Sequence, residues 1–316
     1  MSLPLQVITA FLLDLIIGDP RSYPHPVKVI AKIALACENF TRGFLKNKKV
    51  AGIITTLLVV LASYCFVYFI IALLNHLHPF AGIAGSIFFI YASLSVRNLF
   101  EVSLPIQKFL SDTQLPEARK SLSNIVGRDT QNLDEQGIVR ATVETIAEST
   151  VDGIISPLFY AVIGGAPLAI SFKAVSTMDS LFGYKNEKYL EFGWAPARLD
   201  DLANWIPARI SIPFMTLGAV LGGGNGKNAW KIACRDGHKH PSPNSGIPEA
   251  AMAGALGIQL GGSSFYSGIE NNKPLLGDPI NKSETLDITK SHKIMFASSC
   301  LALVIFSGLL HFYLII

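Results

Sequence analysis

The 316 residues of this chain are half hydrophobic and only 16% charged, with 26 Lys and Arg against 23 Asp and Glu and a formal net charge of +3. Ordinary soluble domains carry about a quarter charged residues, so much of this surface avoids water. The small charge is mixed along every polar segment and argues against nucleic acid as a partner, and four widely separated cysteines argue against a disulfide framework or a zinc site.

An apolar segment at 3–17 opens the chain. No Lys or Arg precedes it and no small-residue cleavage site follows, so a retained anchor is expected rather than a secretory signal. It contains Asp14, an aspartate at membrane depth and hence a functional candidate, with Arg21 its nearest candidate partner. The stretch "DLIIGDPRSYPHP" then places Asp19 in a turn and His25 between two prolines. A lone histidine in such a place is more often structural than a ligand.

Apolar segments at 50–74 and 79–96 come next, each close to the roughly 20 residues that cross a bilayer. Residues 19–49 before them hold seven Lys and Arg, whereas the link from Asn75 to Phe80 holds none. The positive-inside bias therefore puts the first loop, and the polar loop 97–153, on the cytoplasmic side. In that loop, prolines at 105 and 116 predict two short broken helices and Gly127 a helix stop. A third helix is expected from about Asp134 to Thr150. It carries Arg140, Glu144 and Glu148, with Asp152 just beyond, at a spacing of four that aligns them on one face. On a soluble helix this would be a solvated stripe knitted by an Arg–Glu pair worth a few tenths of a kcal/mol. Beside an apolar segment, clustered carboxylates instead suit a hard cation such as magnesium.

Segments 154–172 and 210–226 are apolar but contain or closely follow Pro157, Gly164, Gly165, Pro167, Pro207 and Pro213. They are expected to be broken or re-entrant, framing a cavity that faces the cytoplasm. The polar loop 173–209 between them holds Lys173, Asp179, Lys185, Arg198, Asp200, Asp201, Asn204 and Arg209 among tryptophans and prolines. Arginines read phosphate or carboxylate through paired hydrogen bonds, and acidic neighbours either hold them or bind metal. In the last polar loop, 227–293, Pro248 suits the first turn of a helix capped by Asn244 or Ser245, whose N-terminus is free to meet an anion. "GGGNGKN" at 222–228 fails as a phosphate loop, because Leu221 and Asn228 stand where glycine and a hydroxyl are required. An apolar segment at 294–316 closes the chain. No internal repeat of domain size is visible, which weakens an inverted-repeat transporter reading. The expectation is an all-α, polytopic membrane protein: one membrane-embedded domain over 1–316, with several spans, broken segments and helical loops facing the cytoplasm.

In order, "LLDLIIGDPRSYPHPV", "GRDT", "RATVETIAESTVDGIISPLFY", "KAVSTMDSLFGYK", "PARLDDLANWIPARI" and "SPNSGIPEAAMAGALGIQLGG" form a set that resembles the adenosylcobinamide-phosphate synthase family of cobalamin biosynthesis, the CobD/CbiB membrane proteins. The resemblance implies an ATP- and magnesium-dependent amide bond between adenosylcobyric acid and aminopropanol or its phosphate, through an acyl phosphate. It implies a multi-pass protein of the cell membrane, in contact with the lipid bilayer and with other late enzymes of the pathway. Carried onto this chain, it points to Glu144, Glu148, Asp152, Lys173 and Asp179 for catalysis and to Glu148, Asp152, Asp200 and Asp201 for metal. For substrate it points to Asp14, Asp19, His25, Arg128, Lys185, Arg198, Arg209, Asn244, Ser245 and Glu249. Two other classes are open: a membrane sensor resembling the regulators linked to β-lactamase induction, and a corrinoid or small-molecule transporter.

Overall fold

The computed structural model describes residues 1–19, 25–184, 186–266 and 268–315. Arg21 and Lys185 lie outside the described residues. The chain forms two compact units, one built from 1–95, 156–204 and 303–316, the other from 96–155 and 205–302.

The first unit is helical. It holds α1 (Leu3–Ile17), α2 (Pro26–Phe44), α3 (Lys48–Leu77), α4 (Pro79–Ser93), α8 (Ser156–Phe182) and α9 (Trp194–Ala203). Helix starts follow capping chemistry: His25, Asn47 and His78 each accept a backbone N–H of the first turn, and Pro26 and Pro79 occupy first positions where no N–H is needed. α3 packs against α2, α4 and α8. Its backbone approaches closely at Gly52, where a Cβ would stand 2.0 Å from the Phe192 carbonyl oxygen. The rest of α3 stays apolar and uncovered: Leu57, Leu61, Phe66 and Phe69 are each more than 60% exposed. Thirty residues at 1.5 Å rise span about 45 Å, so this helix presents its side chains to lipid across a bilayer. Among the described residues, four helical stretches are long and apolar enough to cross a membrane: Lys48–Leu77, Pro79–Ser111, Glu135–Phe182 and Thr285–Tyr313.

The second unit holds α5 (Val96–Ser111), α6 (Leu115–Leu122), α7 (Glu135–Thr150), α10 (Trp205–Leu221), α11 (Gly226–Asp236), α12 (Gly246–Leu256), a hairpin of β1 (Leu260–Tyr266) and β2 (Ile269–Leu276), and most of α13 (Thr285–Ile315). α11 and α12 pack against each other and against α10, and α7 packs against α12. Asp134 starts α7 by accepting the Gly137 N–H at 2.7 Å.

Several local expectations need correction. Pro105 does not break α5, because Val96, Leu99, Ile106 and Leu110 bury one continuous face whose packing outweighs the lost backbone bond. α6 stops at Leu122 rather than Gly127: the Ser123 hydroxyl and the Asn124 amide both donate to the Lys120 carbonyl and take over the helix end. The segment 154–172 does not begin a new element. α7 runs through a π turn at Val151–Ile155 into α8, and the break comes at Gly164 and Gly165, the latter at φ 64°. α10 begins at Trp205 and passes through both Pro207 and Pro213. Helical expectation also missed the hairpin, whose strands pair antiparallel from Leu260–Leu276 to Tyr266–Ile269 with an irregularity at Leu260/Gly262.

Candidate functional site

In the second unit, α7 sets Glu144 and Glu148 one turn apart on the face it turns toward α12. Glu144 is 2% exposed. Its two carboxylate oxygens are held separately: Arg128, from the loop before α7, donates to Oε2 at 2.5 Å, and the Gly261 backbone N–H of β1 donates to Oε1 at 2.7 Å. The stripe residue Arg140, one turn earlier, makes no ion pair with it among the described residues. Burial alone would lower the Arg128 pKa, but the Glu144 carboxylate more than offsets this and raises it.

Glu148 accepts the Ser245 hydroxyl at 2.8 Å. Ser245 therefore spends its side chain on α7 instead of capping α12, and the tight turn before the helix is made by Ser242, whose hydroxyl oxygen accepts the N–H groups of Asn244 and Ser245. Asn244 in turn lies 3.4 Å from the Arg209 guanidinium, which stacks over Trp205 at 4.2 Å from its ring centre.

Glu249, on the first turn of α12, is 1% exposed. Its Oε1 lies 4.0 Å from Nε2 of half-buried His240, and its Oε2 has no hydrogen-bond partner among the described residues. Burial, with Glu144 and Glu148 adding repulsion, pushes the Glu249 pKa well above the usual carboxylate range. Burial, followed by the Lys273 charge, pulls His240 below its ordinary value. The two thus face each other as a carboxyl group that holds its proton more tightly than usual and an imidazole that takes one up less readily, a pair suited to giving and taking a proton.

The second unit brings Arg128, Glu144, Glu148, Asn244, Ser245 and Glu249 together, with Arg209 reached through Asn244. Asp152 lies in the π turn of the same unit, half-buried. The remaining expected positions belong to the first unit. Asp14 is fully buried on α1, and Asp19 meets Nε2 of His25 at 3.1 Å, so that His25 serves as both cap and partner. Lys173 on α8 donates to the Ser95 hydroxyl at 3.2 Å, and Asp179 sits in the last turn of the same helix. Asp200 accepts the Asn204 amide at 3.0 Å, whose own oxygen accepts the Ser156 hydroxyl at 2.6 Å. Arg198 and Asp201 form an exposed pair at 3.6 Å. Arg198 and Arg209 lie on separate helices, because Asn204 ends α9 before α10 begins. Among the described residues, no three His, Cys, Asp or Glu side chains are grouped to hold a metal ion.

Sequence reasoning missed His240, Gly261 and Lys273 as members of this site. "HKHPSPNS" carried a signal, since a histidine just before a turn can accept one of its N–H groups, as His240 accepts that of Ser242, but nothing in it names α7 as a neighbour.

A family model described as CobD/Cbib protein matches residues 7–295. A protein of Leptospira interrogans named "Cobalamin biosynthesis protein CobD" is 47% identical over 314 residues, covering 98% of this chain and all of the relative. A Geobacter metallireducens protein of the same name is 47% identical, covering 95% of this chain and 94% of the relative. "Cobalamin biosynthesis protein CbiB" of Salmonella arizonae is 41% identical, covering 94% of each chain. No solved structure matches the chain.

Proposed function

The chain belongs to the CobD/Cbib family, and from that premise we propose that it acts in cobalamin biosynthesis as a membrane-bound ligase. It joins adenosylcobyric acid to (R)-1-amino-2-propanol or its O-phosphate, giving adenosylcobinamide or its phosphate. The observation that carries the reading is the largely buried centre on the second unit: Arg128 pairs with Glu144, Ser245 binds Glu148, and Glu249, beside His240, keeps one oxygen without a hydrogen-bond partner among the described residues.

Carboxylate and ammonium form a salt in water, so an amide requires activation. Bound ATP would supply it by giving its terminal phosphoryl group to the propionate carboxylate with release of ADP, so that phosphate could leave when the amine attacks. The protein's own residues then have three tasks. Arg128, held by Glu144, offers a fixed positive charge to an oxyanion. The Glu249–His240 pair takes the proton that the attacking amine must lose. Ser245 and Ser242 order the turn into α12 so that Glu249 and Glu148 keep their separation. Magnesium is commonly held by one or two carboxylates together with substrate phosphates, a requirement that Glu148 with its single hydroxyl partner fits better than a preassembled cage.

Purified protein with ATP, magnesium, adenosylcobyric acid and aminopropanol phosphate is expected to yield the amide, followed by mass. No product, together with uptake of the corrinoid into sealed vesicles, would replace this reading with transport. The centre is further proposed to face the cytoplasm across the cell membrane. Single cysteines at positions 201 and 245 should label only from that side, and labelling only from outside would overturn it.

A further inference from the structure

We propose that a separate cavity beside the carboxylate centre holds a phosphate group of one of the substrates, with Arg140 and Lys282 as its anchors. The cavity measures about 590 Å³, within the range of small-molecule sites, and lies between α7, β1 and the turn at 279–283. Its lining includes Arg140, Lys282, Gln136, Gln259, Asn281 and Ser283, and no carboxylate. Gln136 and Arg140 stand one turn apart on α7 and so present an amide and a guanidinium to the same space. Neither Arg140 nor Lys282 has an ion-pair partner among the described residues. Arg128, by contrast, is paired with Glu144, and the exposed Arg235 and Lys239 are paired with Asp236. Two uncompensated cations with amide and hydroxyl donors around them, and no acid, form a wall suited to a polyvalent oxyanion.

Its position gives the cavity a role. Gly261 lines it, and the same residue's N–H binds Glu144, so one stretch of β1 backbone forms the wall between the cavity and the carboxylate centre. Gly261 lies at φ 84°, and a Cβ there would stand 2.2 Å from the Pro274 carbonyl oxygen. Only glycine lets the strand serve both sides. A ligand with its phosphate on Arg140 and Lys282 would be anchored next to the groups assigned to amide formation. This deepens the ligase reading and rests on it for the choice of ligands. Two sources supply the same chemistry, the triphosphate of ATP and the phosphate of the amine.

Equilibrium dialysis on the full chain in detergent micelles, with radiolabelled ATP and aminopropanol phosphate, separates them, with adenosine and aminopropanol as phosphate-free controls. R140Q and K282Q are each expected to weaken one phosphate ligand by about tenfold or more and to leave its phosphate-free counterpart unchanged, with R140K recovering part of the loss. Loss of ATP binding assigns the triphosphate, and loss of aminopropanol phosphate binding assigns the amine. Unchanged binding of both, an equal loss for the controls, or no binding of either phosphate ligand to the wild type overturns the proposal. If R140Q is not recovered folded, the exposed K282Q carries the test. Amide formation by a wild type whose phosphate affinities do not respond to either variant would sink the cavity and keep the ligase. Phosphate binding that responds, without amide formation, would do the reverse.

Discussion

Replacing Glu144 by Gln separates what holds the centre together from what it does. Glu144 is buried and bound on both oxygens, by Arg128 at 2.5 Å and by the Gly261 N–H at 2.7 Å. Removing one member of a buried ion pair costs about 3–5 kcal/mol, because the other charge stays buried without compensation. Two features reduce this. The glutamine oxygen can still accept from Gly261, saving a bond of about 1 kcal/mol. Glu249 also loses one of the two negative neighbours that strain it. A net destabilisation of about 2–3 kcal/mol is therefore expected, read by thermal or denaturant unfolding in micelles. In a double-mutant cycle with Arg128→Gln, the coupling should exceed about 1 kcal/mol, since each single change orphans what the other removes. A single variant within about 0.5 kcal/mol of wild type, or strict additivity, would refute the argument that this pair organises the site.

Asp236 provides an independent test of burial and charge. It is 1% exposed and accepts from Arg235, from Lys239 at 2.7 Å and from the Gly277 N–H at 2.9 Å, tying the end of α11 to the exit of the hairpin. Both cations are about 40% exposed, so the loss in Asp236→Asn should sit near the low end for such networks, about 2 kcal/mol. The hydrogen bonds from Arg235, against opposing burial, hold its pKa far below the ordinary 3.8, so this stability is full above that value and is lost as pH falls below it. An acid-unfolding midpoint unchanged in the variant would contradict this. Glu249 has the opposite sign: its raised pKa means that the folded state binds more protons above pH 4.5, so its contribution to stability declines as pH rises. His240, lowered from 6.5, adds stability that is lost as pH falls below that value. The stability of wild type minus that of Glu249→Gln should therefore fall as pH rises above 4.5. A difference that does not vary with pH would show that Glu249 titrates normally.

Much of the architecture is legible in the sequence because local signals suffice for it. The apolar segments of α1, α3 and α13 need only length and composition, and α7 needs only Asp134 as a cap and a spacing of four. The hairpin was illegible because β1 and β2 do not alternate: "LGGSSFY" opens with two glycines at positive φ, and "IENNKPLL" carries a proline that cannot donate to the ladder. Proline signals misled in α5 and α10, where packing overrides local cost. Glu144, Glu148 and Glu249 could each be named from the sequence. That Glu249 lies near the other two, with one oxygen lacking a hydrogen-bond partner among the described residues, is a tertiary fact, since α12 follows α7 by nearly a hundred residues. The aspartates Asp200 and Asp201 instead find amide and arginine neighbours close to them in the chain.

The claim at the centre of this account is that Glu144 and Glu148 on α7 and Glu249 on α12 carry amide formation. Glu148→Gln tests it most directly. The substitution is isosteric and keeps an acceptor for Ser245, so folding should change by less than about 1 kcal/mol while the charge disappears. In the reconstituted reaction with ATP, magnesium, adenosylcobyric acid and aminopropanol phosphate, the account predicts a folded, membrane-inserted variant that forms amide at least about a hundredfold more slowly than wild type. A folded variant with wild-type rates would contradict it.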